Sequence, residues 1–199
     1  LKKIDKKYPA ISHQCYKYIE NNSKIDDKNN INIFHRPWVA PQNWGIKLFD
    51  SVKSRWIKDF KTMTGKSIPD FYKDFLKISN GGFIYDLSLY GLPPSIYTKG
   101  VLSRSMLQCH DLTSANNSWI VEYDIDRDSF HFGGRAYTFN ENVGYFYQKN
   151  EIICARKNGE IIAKWNDFND FINDEIKEAE KMMQDKTPEN TEIIISNGF

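Results

Sequence analysis

The chain has 199 residues, of which 40% are hydrophobic and 15% aromatic, so it can bury the core of one domain, with or without extensions. Its 27 Lys and Arg residues nearly balance 26 Asp and Glu residues, for a net charge of +1. This balance argues against a dedicated nucleic-acid-binding protein, which usually carries a basic field, and against an acidic mimic of a nucleic acid.

The first 43 residues are predicted to form an extension made of a short helix and an Asn-rich loop. Residues 9–21 place Ile11, Cys15 and Ile19 on one side of a helix. Residues 21–33 are polar and rich in Asn, which favours a loop or linker. Residues 34–44 contain two prolines and two tryptophans, and we expect an extended segment anchored by its rings.

A longer helix is predicted from about residue 45 to residue 63. Apolar residues three or four positions apart share one face there, and Gly65 is placed to end the helix. The predicted buried face consists of Ile46, Phe49, Val52, Trp56, Phe60 and Met63.

The segment 68–82 is the most informative of the chain. Pro69 suits the first turn of a helix, where its missing N–H would be unpaired anyway. Phe71, Phe75 and Ile78 recur at helical spacing, and we expect them in the core. Asn80-Gly81-Gly82 then ends the helix, because these residues enter the left-handed region at low cost. Nothing in the segment is chemically reactive, so it indicates an architecture.

The second half of the chain predicts mainly strands. Residues 83–90 form one candidate strand, and Asp111 is placed to cap a short helix. A meander follows, with candidate strands at 130–132, 136–140, 143–148, 151–156 and 160–165. Turns are predicted at Gly133-Gly134, at 140–142 and at 157–159, where Asn158-Gly159 suits a type I′ turn.

The chain is expected to close with a helix at 167–184, capped by Asp167, and a frayed tail at 185–199. The helix should bury Phe168, Phe171, Ile172 and Ile176. This order predicts an α+β fold: a single antiparallel meander sheet with helices packed mainly on one face. The predicted units are residues 1–43, a domain at 44–184 and the tail.

With this order, the chain resembles the SUKH superfamily, which includes bacterial toxin-immunity proteins and fungal cell-wall-synthesis regulators. The resemblance covers roughly residues 44–180 and leaves 1–43 and 91–118 unexplained. It implies a SUKH-like fold and a protein partner. The matching residues are Trp56, Phe60, Ile68, Pro69, Phe71, Tyr72, Phe75, Leu76, Asn80, Gly81 and Gly82, a glycine-rich hairpin at 132–147, and Trp165 at the start of the closing helix.

A search for catalytic and metal-binding patterns yields none. The four histidines, His13, His35, His110 and His131, show no metal-ligand spacing. Cys109 and His110 are adjacent, but neighbours on a strand point to opposite faces and cannot form a dyad. We therefore expect no catalytic residue, no cofactor and no metal.

Residues 124–135 begin like a calcium loop, with Asp124, Asp126 and Asp128. Ser129 replaces the required Gly and Arg135 the required Glu, so a solvated acidic loop is favoured. The loop and Arg135 remain candidates for contact with a partner.

Tyr145 and Tyr147 share one face of a candidate strand, and Phe146 takes the other. If Phe146 faces the helices, both tyrosines face outward and form a candidate protein-binding surface. The alternative is that they only cover the open face of the sheet.

The leading hypothesis is a non-enzymatic immunity protein that binds and neutralises a cognate toxin, without nucleic-acid or membrane partners. A regulatory or scaffolding module without a toxin is the second. An enzyme or small-ligand binder using Arg104, Cys109 and His110 is the third. Three dispersed cysteines without a disulfide framework favour a reducing compartment, and hence a cytoplasmic location. The oligomeric state is not readable from the sequence.

Overall fold

The computed structural model describes residues 2–20, 23–37, 43–92, 109–138 and 141–184. Nine strands within these residues form one antiparallel sheet in which each strand pairs with its neighbour in sequence. This confirms the predicted α+β meander. The strands are β1 (Ser23–Ile25), β2 (Ile31–His35), β3 (Trp44–Leu48), β4 (Gly82–Ile84), β5 (Leu87–Leu89), β6 (Phe130–Thr138), β7 (Glu141–Gln148), β8 (Glu151–Arg156) and β9 (Ile161–Trp165).

Most of the helices in the described part of the chain contribute to one large core on one face of the sheet. A smaller cluster, formed by Ile120, Tyr123, Phe146, Ile153 and Ala155, lies on the opposite face. The two clusters lie on opposite faces of the sheet. Consecutive residues of a strand point to opposite faces, and Tyr145 belongs to the large cluster while Phe146 belongs to the small one. The helices are α1 (Lys2–Lys7), α2 (Pro9–Tyr18), α3 (Ser54–Thr64), α4 (Asp70–Leu76), α5 (Leu112–Asn117) and α6 (Phe168–Gln184), with a 3₁₀ turn at Trp119–Glu122.

The N-terminal residues are part of the same sheet and core. The loop predicted at 21–33 is wrong where the structure describes it, because β1 and β2 form a hairpin that pairs with β3. Ile33, opposite Ile46, is fully buried. The polar side chains stabilise the hairpin: the Asn30 Oδ1 accepts from the Asp50 N–H (3.1 Å), and its Nδ2 donates to Asp26 (3.0 Å).

The helix predicted at 45–63 is only half correct. Residues 44–48 form β3, which buries Ile46 and Leu48 on the same side, and α3 begins only at Ser54. In so short a segment, apolar residues three positions apart do not distinguish a strand from a helix. The end of the helix is as predicted, with Gly65 at φ +72°.

The segment 68–82 forms α4 and the turn into β4. Pro69 is the N-cap residue, and Tyr72, Phe75 and Leu76 are fully buried. Phe71 and Ile78 only pack against the edge of the core, so the buried face is rotated relative to the predicted one. The Tyr72 hydroxyl lies 2.5 Å from the Tyr90 carbonyl oxygen and 3.0 Å from that of Phe132, joining α4 to the residue after β5 and to β6.

Asn80-Gly81-Gly82 turns the chain into the sheet, as predicted. The Asn80 side chain donates to the Leu92 carbonyl (2.8 Å) and accepts from the Leu92 N–H (2.7 Å), so it pairs with that residue as a strand would. Gly81 has φ +78°, and Gly82 begins β4. Ile68, at the other end of the segment, is buried.

Two predicted strand boundaries are wrong. Residues 83–90 form the β4–β5 hairpin rather than one strand, with Tyr85 at φ +55° in its turn. Gly133-Gly134 is not a turn: β6 runs through it, with a bulge between His131 and Gly133. A side chain at either glycine would clash, since a Cβ at Gly133 would lie 2.8 Å from the Ser88 carbonyl oxygen.

The later hairpins and helix caps largely follow the predictions. A hairpin forms at 157–159, but only Gly159 has positive φ, so the turn is not type I′. Lys149 and Asn150, both at positive φ, have that geometry instead. Asp111 accepts from the Thr113 N–H (2.8 Å) and Asp167 from the Asn169 N–H (2.7 Å), as expected of helix caps.

Helix α6 buries Phe168, Phe171, Ile172 and Ile176, as predicted. Residues 139–140 and the tail at 185–199 lie outside the described residues. The division at residues 43 and 44 stays a prediction.

Candidate functional site

Tyr145 does not lie on an exposed surface. Its side chain is 0% exposed, packs on Phe171 of α6 with ring centroids 4.9 Å apart, and donates a hydrogen bond to Glu175. The sequence predicted outward-facing tyrosines only if Phe146 faced the helices, and that condition is not met. Phe146 lies on the opposite face, where Tyr123 covers it, so both faces of β7 are buried.

Tyr147 keeps a half-exposed position at the edge of the core. Its ring packs against Phe71 (5.1 Å between centroids), and its hydroxyl donates to Asn150 Oδ1 (3.2 Å). Of the two predicted tyrosines, only Tyr147 can contact a partner directly.

Arg135 is buried as well, which contradicts its prediction as a direct partner contact. Its guanidinium lies 3.2 Å from a Glu175 carboxylate oxygen and donates to the Glu175 backbone carbonyl. With Tyr145, these two residues form a polar cluster between β6, β7 and α6. Burial raises the pKa of Glu175, and Arg135 opposes that rise. The cluster has a structural role, because all three side chains are inside the core.

The acidic loop is exposed, as predicted. Asp126 accepts from the Asp128 N–H (2.9 Å), and the ammonium of Lys66 donates to the carbonyls of Arg127 (2.5 Å) and Ser129 (2.8 Å). These contacts fix the loop while Asp124, Asp126 and Asp128 face solvent. Within the described ranges, no three His, Cys, Asp or Glu side chains are grouped to hold a metal ion.

The helix-free face of the sheet presents a row of residues that are paired strand by strand. It runs from Lys24 in β1 through Lys47, Phe83 and Ser88 to Gly134, Gly144 and Ala155 in β8. Since cross-strand partners lie on the same face, this row forms a single surface from β1 to β8.

A groove of about 490 Å³ lies on this face, and we call it the aromatic groove. The β4–β5 hairpin and His110 form one wall, and the 3₁₀ turn with Tyr123 forms the other. The rings that line it are Phe83, Tyr90, His110, Trp119, Tyr123 and His131.

Two glycines on neighbouring strands make room for the rings at the floor. A Cβ at Gly134 would lie 2.6 Å from the Tyr90 hydroxyl, and one at Gly144 would lie 2.6 Å from the Phe146 ring. Gly134 and Gly144 are paired in register, so neither strand carries a side chain at this point and the rings lie directly on the backbone. His131 stacks on Phe146 with ring centroids 4.3 Å apart.

Ser88 Oγ lies 2.8 Å from His110 Nδ1, a contact that resembles part of a catalytic pair. A nucleophilic serine also needs a base oriented by a third group. Among the described residues, no carboxylate is hydrogen-bonded to His110. Burial raises the pKa of the neighbouring Cys109 thiol to about 12, which disfavours a reactive thiolate. The geometry therefore supports binding rather than covalent chemistry.

The burial of His131 leads to a pH-dependent prediction. Burial lowers its pKa from 6.5 to about 3, so the unfolded chain binds a proton below about pH 6.5 that the folded protein excludes. This part of the stability is present above pH 6.5 and is lost as the pH falls towards 3. Wild type should therefore lose about 2 kcal/mol more than His131→Phe between about pH 7 and pH 5.

Urea unfolding of both proteins at the two pH values measures this difference. Phe is used because it can stack on Phe146. Equal losses in both proteins would show that His131 is protonated in the folded state.

Sequence reasoning did not find the aromatic groove. Its rings come from four separate segments, at 83–90, at 110, at 119–123 and at 131, and no motif in the sequence links them.

In the described part of the chain, no helix combines the length and hydrophobicity needed to cross a membrane.

No curated protein and no solved structure matches the chain. The comparison with protein families gives one match. The sequence model of the SMI1/KNR4 family (SUKH-1) matches residues 51–174, inside the stretch at 44–180 that carried the resemblance. With α3, the Pro69-to-Gly82 segment, strands β4 to β9 and the start of α6 all within that match, the chain belongs to the SMI1/KNR4 family (SUKH-1).

Proposed function

We propose that this protein is a non-enzymatic immunity protein, which neutralises a cognate bacterial toxin by binding it. Its family membership supports a role in protein–protein contact. The observation that carries the proposal is the aromatic groove on the helix-free face, which is lined by the rings of Tyr90, Trp119 and Tyr123. Rings of this kind dominate the energetics of protein interfaces.

The proposed binding surface combines the aromatic groove with the acidic loop that follows it in the chain. Glu122 and Tyr123 line the groove, and Asp124, Asp126 and Asp128 continue from them on the exposed surface. Buried rings would supply most of the affinity, and the carboxylates would steer the approach of the partner. Tyr147 lies on the other side of β7 and could contact a partner only at the rim.

The proposal includes a cytoplasmic location and needs no cofactor. Cys15, Cys109 and Cys154 are all buried and none of the three is in a disulfide bond, as is usual for a protein of a reducing compartment. A toxin made in the same cell would meet its immunity protein in that compartment.

Co-expression with the toxin encoded beside the gene tests the proposal. We expect the wild-type chain to restore growth and to co-purify with the toxin. Killing at full strength, without a complex, would contradict the proposal for that pair. Growth restored without a complex would also contradict it, because neutralisation must then be indirect.

A regulatory or scaffolding module without a toxin is the second candidate. The family description, which names SMI1/KNR4 alongside SUKH-1, favours keeping it. A gene that stands alone, or one fused to other domains, would support this candidate over an immunity protein.

A further inference from the structure

We infer that the aromatic groove receives a tyrosine side chain of the partner, with its ring between the two walls and its hydroxyl at the floor. This inference rests on the proposed function and specifies the partner chemistry of the same site. It is drawn from two hydroxyl groups that lack hydrogen bonds, from the rings around them and from the balance of charge along the groove.

Two tyrosine hydroxyls in the groove have no hydrogen-bond partner among the described residues. They belong to Tyr90 and Tyr123, which line the groove and are only 8% and 7% exposed. Neither oxygen is fully occluded, so both remain accessible to a ligand. A hydroxyl in such a position has lost most of its contact with water, and a ligand group that bonds to it recovers that loss.

Both hydroxyls lie deep in the groove. A Cβ at Gly134 would be 2.6 Å from the Tyr90 hydroxyl, which places this group on the floor. Burial raises the pKa of Tyr90 and the neighbouring Tyr123 raises it further, so the two phenols are close to each other. Burial also raises the pKa of Tyr123 to about 12. Both groups therefore keep their protons near neutral pH, and each can donate and accept a hydrogen bond.

Half-exposed rings stand above these hydroxyls. Phe83 belongs to one wall and Trp119 to the other. The His110 ring is nearly perpendicular to both, at 84° to Phe83 and 90° to Trp119, with centroids 4.9 and 6.4 Å away. Aromatic rings prefer edge-to-face or offset contacts of this kind, so a further ring can pack between the walls.

The cationic groups of the groove are compensated. Among the described residues, Arg135 and Lys157 are the cationic side chains that line it. The Arg135 guanidinium lies 3.2 Å from the Glu175 carboxylate. The Lys157 ammonium lies 2.7 Å from the carboxylate of Glu122, which also lines the groove, so both members of that pair are accounted for.

The remaining carboxylate of the groove, Asp86, also faces an opposite charge. Burial lowers the pKa of Arg36, and Asp86 opposes that fall. Burial lowers the pKa of both lining histidines, His110 and His131, so both are neutral near pH 7. The described lining therefore carries no unbalanced charge, and a charged occupant would lose its hydration without gaining a counter-ion.

A tyrosine side chain matches these three features. Its ring can pack between Phe83 and Trp119, and its hydroxyl can donate to one of the two floor hydroxyls and accept from the other. A phenylalanine would fill the same space but leave both hydroxyls unpaired. A glutamine would bond to them without supplying a ring, and a lysine or an arginine would bring a charge that the groove does not balance.

The test uses three probes, acetyl-Gly-Tyr-Gly-amide and the same peptide with Phe or Gln in place of Tyr. In ¹H–¹⁵N spectra of the full chain, we expect saturable shifts with the tyrosine peptide at Phe83, Tyr90, Trp119 and Tyr123. Affinity for the phenylalanine peptide should be at least about 5-fold weaker, because the two peptides differ by one hydroxyl. Equal affinity for these two peptides, tighter binding of the glutamine peptide, or no saturable shift would overturn the inference.

Two variants remove the floor hydroxyls one at a time and keep the rings. Tyr90→Phe and Tyr123→Phe should each reduce the preference for the tyrosine peptide by about 2- to 5-fold. Neither should lower the urea midpoint, because the missing hydroxyl had no hydrogen bond to lose. Tyr147→Phe is the matched control, since its hydroxyl bonds to Asn150 on the other side of β7, and it should leave the preference unchanged.

These variants can contradict the inference in two ways. An unchanged preference in both Tyr90→Phe and Tyr123→Phe would show that the floor hydroxyls do not contact the peptide. A lower urea midpoint in both would show that the hydroxyls are already hydrogen-bonded in the free protein, and that they do not await a ligand.

Toxin rescue in cells separates this inference from the proposed function. If wild type protects while the tyrosine and phenylalanine peptides bind equally, the immunity function stands and the tyrosine site is wrong. If wild type fails to protect while the tyrosine peptide binds selectively in the groove, the site stands and the immunity function is wrong.

Discussion

Arg135→Met should lower the free energy of unfolding by about 3–5 kcal/mol at pH 8. The substitution leaves the Glu175 carboxylate inside the core with only the Tyr145 hydroxyl to stabilise it. A buried charge that has lost its partner costs more than the pair contributes. Chemical denaturation, with wild type as reference, measures the loss.

The loss should be smaller at pH 5. Burial already raises the pKa of Glu175 in the folded protein, and Arg135 opposes that rise, so removing Arg135 raises it further. The folded state of the variant then binds a proton that the unfolded chain releases at lower pH, and its stability falls as the pH rises through that window. In wild type the loss of stability with rising pH is smaller, because Arg135 opposes the rise in the pKa of Glu175.

The double variant Arg135→Met/Glu175→Leu is the control. Replacing both members of a buried pair with apolar residues of similar size is often close to neutral, so most of the lost stability should return. A single-variant loss below about 1 kcal/mol, or a loss that is the same at pH 5 and pH 8, would show that the cluster is solvated.

Gly81→Ala should destabilise the protein by about 2–5 kcal/mol, as the sum of backbone strain and overpacking. Gly81 has φ +78°, a conformation that costs any residue with a Cβ about 1–2 kcal/mol. Its added Cβ would also lie 2.7 Å from the Leu89 carbonyl oxygen and 2.9 Å from the Gly91 nitrogen. Both atoms belong to the backbone of β5 and the residues after it, so they cannot rotate away.

Gly65→Ala is the matched control for this prediction. Gly65 has nearly the same backbone conformation, with φ +72°, but a Cβ there would meet no atom within 4 Å. Its substitution should cost only the strain, about 1–2 kcal/mol. Equal losses in the two variants would mean that the sheet shifts to accept a methyl group at Gly81, and that the close approach is not what requires glycine.

The sequence predicted the elements whose signals are local. The helix cap at Asp167, the buried face of α6 and the stop at Gly65 depend on a few adjacent residues, and all were correct. The strand at 44–48 and the hairpin at 82–89 were missed, because their boundaries are set by pairing with distant strands. The bulge beside Gly133 has the same origin. In the sequence the two glycines indicate a turn, whereas in the structure they lie in a strand, where β5 and Tyr90 leave no room for a Cβ.

The candidate site was predicted less well than the fold. Alternation along β7 correctly placed Tyr145 and Tyr147 on one face, but which face points outward depends on what covers Phe146. The segment at 119–123 covers Phe146, although no pattern in the sequence of that segment predicts that it packs on a sheet. Arg135 was read as a surface charge because its partner, Glu175, lies 40 residues further along the chain. The acidic loop at 124–128 is exposed, as its composition predicts.

Hydrogen–deuterium exchange of the full chain, alone and with the toxin encoded beside its gene, tests most directly whether the helix-free face binds the partner. We expect slower exchange in the presence of the toxin at residues 83–90 and 119–128, with no change in α3 or α6. Protection confined to α3 or α6, with the aromatic groove unaffected, would contradict the account.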